Sequence, residues 1–313
     1  MGSKRMYQFP NVLTPGDTIG IIAPASAAHR KNVRQGIEYL EKCGYKVKTA
    51  PNLTRGKFYI AGNDELRLKW LERFILDPEV KGIICVRGGY GLLRIIDKIN
   101  YDKLKKVPPK MIVGYSDTTA LQMALLSKLG WIGYTGPMVA SDMGNNFDPY
   151  SEEWLWRVIT AHPYPLELQN PQEEEIRVFR HGSATGVLVG GCLSMVTPLL
   201  GTMYMPDLKG AVLVIEDIGE KTYHLDKHLH ILRLHGVFEQ ISGLLLGHFV
   251  KCFPKNPKRS FTMTDFLQDV LGDYDFPVIT NLAYGHIRRR LTLPLGARIH
   301  IETDPVKLTI QKP

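Results

Sequence analysis

Short, almost wholly apolar runs alternate along the first half of the chain with longer segments of helical periodicity, and this alternation restricts the fold more than any other feature. Residues 18–23, 80–86 and 110–114 have the length and composition of strands buried on both faces, with 45–49 a further short strand. Between and after them, residues 31–43, 63–77, 118–129 and 151–161 repeat apolar residues at helical spacing, and Asn63 stands where a helix cap belongs. Strands alternating with helices predict an α/β protein with a doubly wound parallel sheet, whose functional groups collect at the carboxyl ends of the strands.

The second half continues less regularly. Strands are expected over 183–191, 210–216, 243–249 and 276–286, helices over 192–200, 224–234 and 262–271, and a terminal β-hairpin over 293–302 and 306–311. A length of 313 residues exceeds what one core usually serves, so two domains of about 150 residues are expected. The polar, proline-bearing stretch 162–175 is the candidate linker, separating a domain at 1–165 from one at 166–313.

Hydrophobic residues at 44% and charged ones at 22% describe a folded globular chain rather than a disordered one. No run approaches the ~20 apolar residues of a membrane span, and Met1-Gly-Ser-Lys-Arg-Met6 begins no apolar leader; a cytoplasmic location follows as the expectation. Cys43, Cys85, Cys192 and Cys252 lack metal or disulfide spacing and read as small core residues. Lysine and arginine exceed the acids by 39 − 31 = 8, yet the basic residues are spread out apart from 251–259 and 288–290. No nucleic-acid module is present, and a generally basic surface suits an anionic small substrate.

Several residues carry chemistry. In Val113-Gly-Tyr-Ser-Asp117, Ser116 sits between a strand and a helix, where its hydroxyl is exposed and helix-opening N–H groups face developing negative charge. The same position suits a simple helix cap. Arg87-Gly-Gly-Tyr-Gly91 also follows a strand; its glycines let backbone approach a ligand, or merely make a tight turn, and Arg87 either binds a carboxylate or pairs structurally. The loop after the first strand lacks the GxGxxG glycines of a dinucleotide cradle. Glu216 ends an apolar strand, where a carboxylate needs a partner, and His286 ends another. His224 and His228 are one helical turn apart, but Leu225 stands where a zincin has glutamate, so no metal is expected. A hydroxyl nucleophile needs a base, and the base needs an orienting group; Ser116, His286 and Glu216 supply all three.

The chain resembles the LD-carboxypeptidase family of serine peptidases, which includes muramoyltetrapeptide carboxypeptidases and microcin-immunity peptidases. The resemblance runs through Gly20-Ile-Ile-Ala-Pro-Ala-Ser26, Val86-Arg-Gly-Gly-Tyr-Gly91, Gly114-Tyr-Ser-Asp117, Gly190-Gly-Cys-Leu-Ser194, Ile215-Glu-Asp-Ile-Gly-Glu220 and Asn281-Leu-Ala-Tyr-Gly-His286. It implies Ser116 as nucleophile, His286 as base and Glu216 as its orienting carboxylate. It further implies a C-terminal mixed, β-rich α/β domain bearing Glu216 and His286, a site in an interdomain cleft, a homodimer, and no metal or cofactor. The substrate class would be a murein tetrapeptide or related small peptide cut at an L,D-bond. The oxyanion would be held by backbone N–H groups of Asp117 and of Gly88 or Gly89, with Arg87 and Tyr90 as candidate substrate contacts. A microcin-immunity-type peptidase acting on an aminoacyl nucleotide, and a non-catalytic binding protein, are the competing expectations.

Overall fold

Residues 7–161, 163–256 and 260–311 are described by the computed structural model. Two units divide the chain: Met1–Pro163 with Thr292–Gly296, and Tyr164–Leu291 with Ala297–Pro313.

The first unit is built on β1 (Thr18–Ile22), β2 (Lys46–Thr49), β3 (Val80–Cys85), β4 (Met111–Val113) and β5 (Gly133–Thr135), all parallel and ordered β2-β1-β3-β4-β5. Helices α1 (Arg30–Lys42), α2 (Asp64–Leu76), α3 (Tyr101–Leu104), α4 (Thr118–Leu129) and α5 (Pro149–Ala161) complete it. In this strand order the chain reverses direction across the sheet between β1 and β3, which opens a crevice at their carboxyl ends. The loops after β1 and β3 therefore lie where such folds bind ligands. As expected, Asn63 caps α2, its side chain accepting from Leu66 N at 2.9 Å. The sequence α4 carries, TTALQMALLSKL, is apolar on nearly every face, and the helix is buried accordingly. The three-residue β5 was not anticipated, because so short a run shows no period of two.

The second unit contains β6 (Leu166–Glu167), β7 (Arg177–Arg180), β8 (Ser183–Cys192), β9 (Val212–Ile218), β10 (Gly243–Val250) and β11 (Val278–Thr280). Beyond a segment, β12 (Leu293–Leu295), that belongs to the first unit, come β13 (Arg298–Thr303) and β14 (Val306–Ile310). Strands β8 to β11 run parallel in chain order, connected through α6 (Leu193–Val196), α7 (Thr222–Leu234) and α8 (Met263–Leu271). Antiparallel β7 flanks β11, and β13, β14 and β6 extend the other side, giving an eight-stranded mixed sheet.

Three expectations change. The terminal hairpin starts at Arg298, since residues 293–295 pair antiparallel with β5 instead. The strand expected over 276–286 stops at Thr280, because Asn281 takes a left-handed φ of 60° and turns the chain out of the ladder. Most of the stretch expected as a linker is built into the second unit: β6 pairs with β14, and Asn170 bonds Asn281 O and Ala283 N, each at 2.7 Å. His162 lies outside the described residues, as do the first six residues and 257–259 of the basic stretch. Among the described residues, no helix is long and apolar enough to cross a membrane.

Candidate active site

In the first unit Ser116 occupies the corner between β4 and α4 with φ = 66°. A β-carbon in that conformation costs about 1–3 kcal/mol and persists only where the surroundings impose it, as at a nucleophile elbow. Asp117, not Ser116, is the cap residue of α4, and it makes no side-chain cap bond. Ser116 is half-buried in a stretch that is otherwise buried from Met111 to Thr119. The turn is tied down by Gln122, whose amide donates to Gly114 O at 2.9 Å and Tyr134 O at 2.8 Å.

The loop from Arg87 to Gly91 packs on this corner. A β-carbon on Gly88 would lie 2.8 Å from Ser116 Cβ and 3.1 Å from its Oγ, so only glycine permits the approach. Gly88 is buried, whereas Arg87, Gly89 and Tyr90 are exposed; Tyr90 stacks edge-on against Tyr59 with ring centres 5.5 Å apart. Sequence motifs thus placed the serine and the glycine loop correctly as neighbours. Of the groups that hold the loop, Ser26 and Asp117 stand in those motifs, whereas Arg67 and Asp64 escaped them. Ser26 N donates to Gly88 O at 3.4 Å, and Ser26 Oγ donates to Tyr59 O and accepts from Tyr90 N. Arg67, fully buried, donates from Nη1 to the carbonyls of Pro24 and Gly91 and from Nη2 to Asp64 at 2.6 Å. Asp64 is held well below the usual carboxylate range by its bonds from Arg94, Arg67 and Lys98. Asp117 Oδ2 accepts from Leu92 N at 2.9 Å, and burial pushes this carboxyl up to about 6.

In the second unit Glu216 lies within β9, two residues before its end, and is 1% exposed. Its Oε2 accepts from His286 N at 3.0 Å and from His286 Nδ1 at 2.8 Å. An ionised carboxylate only accepts, so in the neutral tautomer that this contact selects Nδ1 donates and Nε2 is left with the lone pair. His286 is not at a strand end but on the turn after β11. Gly285 precedes it with φ = 111°, and a β-carbon there would meet Glu216 Oε2 at 2.4 Å. Asn170 fixes the start of this turn as described, and Asn281 Nδ2 donates to Glu175 O at 2.7 Å. Arg289 pairs with Glu173 and Arg290 Nε donates to Ile287 O, so these two arginines of the 288–290 run are engaged within the chain. Beside Glu216, buried Asp217 accepts from Ser194 N at 2.8 Å, and burial raises its carboxyl.

The helical histidines have protein partners: His224 pairs with Glu220 at 2.8 Å, His228 bonds Thr197 Oγ1 at 2.7 Å and His230 pairs with Asp226 at 3.1 Å. No group of three His, Cys, Asp or Glu among the described residues is arranged to hold a metal ion. Cys85, Cys192 and Cys252 are buried, as small core residues are, whereas Cys43, just past α1, is only half-buried.

Both units are of the α/β class, with Ser116 on the corner after β4 and His286 on the turn after β11. The chain belongs to the LD-carboxypeptidase family, whose N-terminal domain matches residues 19–136 and whose C-terminal domain matches 185–301. Membership makes it a peptidase. It is 34% identical to the "Probable murein peptide carboxypeptidase" of Bacillus subtilis, across 94% of this chain and 91% of that one. Among solved structures, muramoyltetrapeptide carboxypeptidase from Oxalobacter formigenes matches with a TM-score of 0.83 at 29% identity, covering 94% of this chain and 99% of that one. The microcin C7 immunity protein MccF with glutamyl sulfamoyl guanosine shares the fold, with a TM-score of 0.89 at 24% identity over 97% and 98% of the two chains.

Proposed function

We propose that the protein is a serine LD-carboxypeptidase that releases the terminal D-alanine of murein tetrapeptides, with Ser116, His286 and Glu216 as its triad. The observation that carries this reading is the double acceptance of His286 by buried Glu216, which fixes tautomer and ring orientation together and supports a general base at Nε2. The left-handed φ of Ser116 and the contact of Gly88 support the nucleophile.

In this mechanism His286 Nε2 takes the Ser116 proton as Oγ attacks the carbonyl of the diaminopimelate or lysine residue. The tetrahedral oxyanion is held by N–H groups of Asp117 and of Gly88 or Gly89; losing one such donor typically costs about 10²–10³ in kcat. The C–N bond breaks, the imidazolium protonates the D-alanine amine, and water deacylates the enzyme with His286 again as base. Arg87 binds the terminal carboxylate and Tyr90 borders it. The enzyme works as a homodimer in the cytoplasm.

The test is incubation with murein tetrapeptide, without added metal, followed by mass spectrometry. Loss of one D-alanine, abolished in Ser116→Ala, is expected. Intact tetrapeptide with folded protein would overturn the murein assignment, and cleavage of an aminoacyl nucleotide instead would give the immunity-type reading. An unchanged KM in Arg87→Ala would remove that residue from the carboxylate site.

A further inference from the structure

The peptide between Gly91 and Leu92, where the glycine loop ends, is gripped at both of its polar atoms. Arg67 Nη1 donates to Gly91 O at 2.9 Å, and Leu92 N donates to Asp117 Oδ2 at 2.9 Å. A guanidinium on the carbonyl and a carboxylate on the N–H give one peptide two charge-assisted bonds, stronger than neutral ones, and together they fix its plane. Asp117 is also the proposed donor of an oxyanion N–H. Its carboxylate therefore joins the corner after β4 to the loop after β3.

Arg67 ties in a second loop. The same Nη1 donates to Pro24 O, after β1, and a β-carbon on Gly91, whose φ is 136°, would meet Nη1 at 2.5 Å. Nη2 bonds Asp64 at 2.6 Å, and Asp64 in turn accepts from Arg94 Nε at 3.0 Å and Lys98 Nζ at 3.2 Å. Arg94 stands in the 3₁₀ turn that directly follows the glycine loop, so the bonds close a ring from Gly91 through Arg67, Asp64 and Arg94 back along the chain.

A fully buried guanidinium is unfavourable as mere filling, because an apolar side chain of similar volume is often neutral or stabilising in its place. Here Nε has no hydrogen-bond partner, so the two carbonyls and Asp64 orient the group without satisfying it completely. What it holds explains its presence. Gly88, earlier in the same loop, lies against Ser116, and the loop supplies the second proposed oxyanion donor.

Resting on the reading of Ser116 as nucleophile, we propose that Arg67 is a positioning residue: by fixing the Gly91–Leu92 peptide it holds the N–H of Gly88 or Gly89 where it meets the oxyanion together with the N–H of Asp117. Loosening this clamp weakens an interaction made in the transition state, so the loss falls on kcat rather than KM.

The test is the second-order rate constant for labelling of Ser116 by an alkyl fluorophosphonate. Its phosphoryl oxygen takes the oxyanion's place as Oγ displaces fluoride, and the probe carries no peptide. Arg67→Met should lower this rate about tenfold, less than the ~10² of a full 1 Å displacement, because Ser26 still bonds the middle of the loop. On tetrapeptide kcat should fall by a similar factor, with KM changed less than about twofold. Arg67→Lys, which keeps the charge and a donor, should recover part of the loss. Asp64→Asn, altered at a side chain that reaches solvent, should lose about threefold, the worth of one weakened hydrogen bond. A wild-type labelling rate in folded Arg67→Met, or in Asp64→Asn where Arg67→Met does not fold, would overturn the role, as would a loss expressed in KM alone. If the wild type is not labelled at Ser116, the nucleophile reading falls and this role with it. Tetrapeptide left intact by a protein that is labelled removes the murein substrate alone, and the labelling rates still decide the role of Arg67.

Discussion

Ser116 and His286 are held in position by different means. In the first unit the main chain does most of the work: a left-handed serine, a glycine with no β-carbon against it, and a loop whose carbonyls and N–H groups are pinned by Arg67, Ser26 and Asp117. In the second unit side chains dominate, because Glu216 reaches across from β9 to the ring and backbone of His286, while Asn170 bonds both sides of Leu282. A main-chain device tolerates almost no change of residue at its contact points. The side-chain device draws on residues 70 and 111 positions away from the ones they hold. Adding a methyl group should therefore act abruptly where glycine meets the site, at Gly88 in one unit and at Gly285 in the other, whereas removing Asn170 should act by degrees.

The largest effects are expected at the groups proposed to react, one from each half. His286→Ala and Ser116→Ala should each lower kcat on tetrapeptide by about 10⁴-fold or more, with the double variant no worse than the singles, since groups that act as a unit are not additive. Additive losses measured by single-turnover kinetics would break the triad. Gly88→Ala comes next: the new β-carbon must push Ser116 aside, and displacement of about 1 Å at a reacting atom costs roughly 10² in kcat. Wild-type kcat in a folded Gly88→Ala protein would show that main-chain contact does not position the serine.

Asn170→Ala tests the other half. It leaves Asn281 O and Ala283 N without this partner, and loss of a buried partner costs about 1–3 kcal/mol, so the urea midpoint should fall. Turnover should drop only about tenfold, because the turn that carries His286 loses one tie while Glu216 still holds the ring. A loss as large as that of Gly88→Ala would erase the contrast between the halves.

The last effect concerns Asp117 and bears on stability alone. Its native carboxyl is raised from 3.8 to about 6 by burial, so between those values the folded protein binds a proton that the unfolded chain has released. Stability from this group is thus greatest below pH 4 and falls as pH rises through 6, by ~3 kcal/mol at most. Urea unfolding of the wild type and Asp117→Asn at pH 4 and pH 7 checks it: only the wild type should lose this increment. An equal pH response in both would place the acid elsewhere.

The parallel sheet of the first unit was readable because β1, β3 and β4 are apolar runs, and burial on both faces requires that composition. Ser116, Gly88 and Glu216 were readable because each stands at a place where residue type is chemically conspicuous: a hydroxyl at a strand-to-helix corner, glycine in a loop, a carboxylate in an apolar strand. Arg67 and Asn170 carried no such mark. One lies in an amphipathic helix, and the other in a polar stretch whose composition matches a linker, so nothing local distinguishes them from solvated residues.

What the sequence determined by itself was therefore the class of sheet in the first unit, the family and the three candidate groups, since periodicity and local residue chemistry act over a few neighbouring positions. Only the tertiary structure decided that residues 293–295 pair with β5, that 166–175 joins the second unit, and that Gly285 and Asn170 set the turn carrying His286. Those choices depend on which buried carbonyl or N–H finds a partner far along the chain, and hydrogen-bond satisfaction between distant segments leaves no periodic trace in either of them.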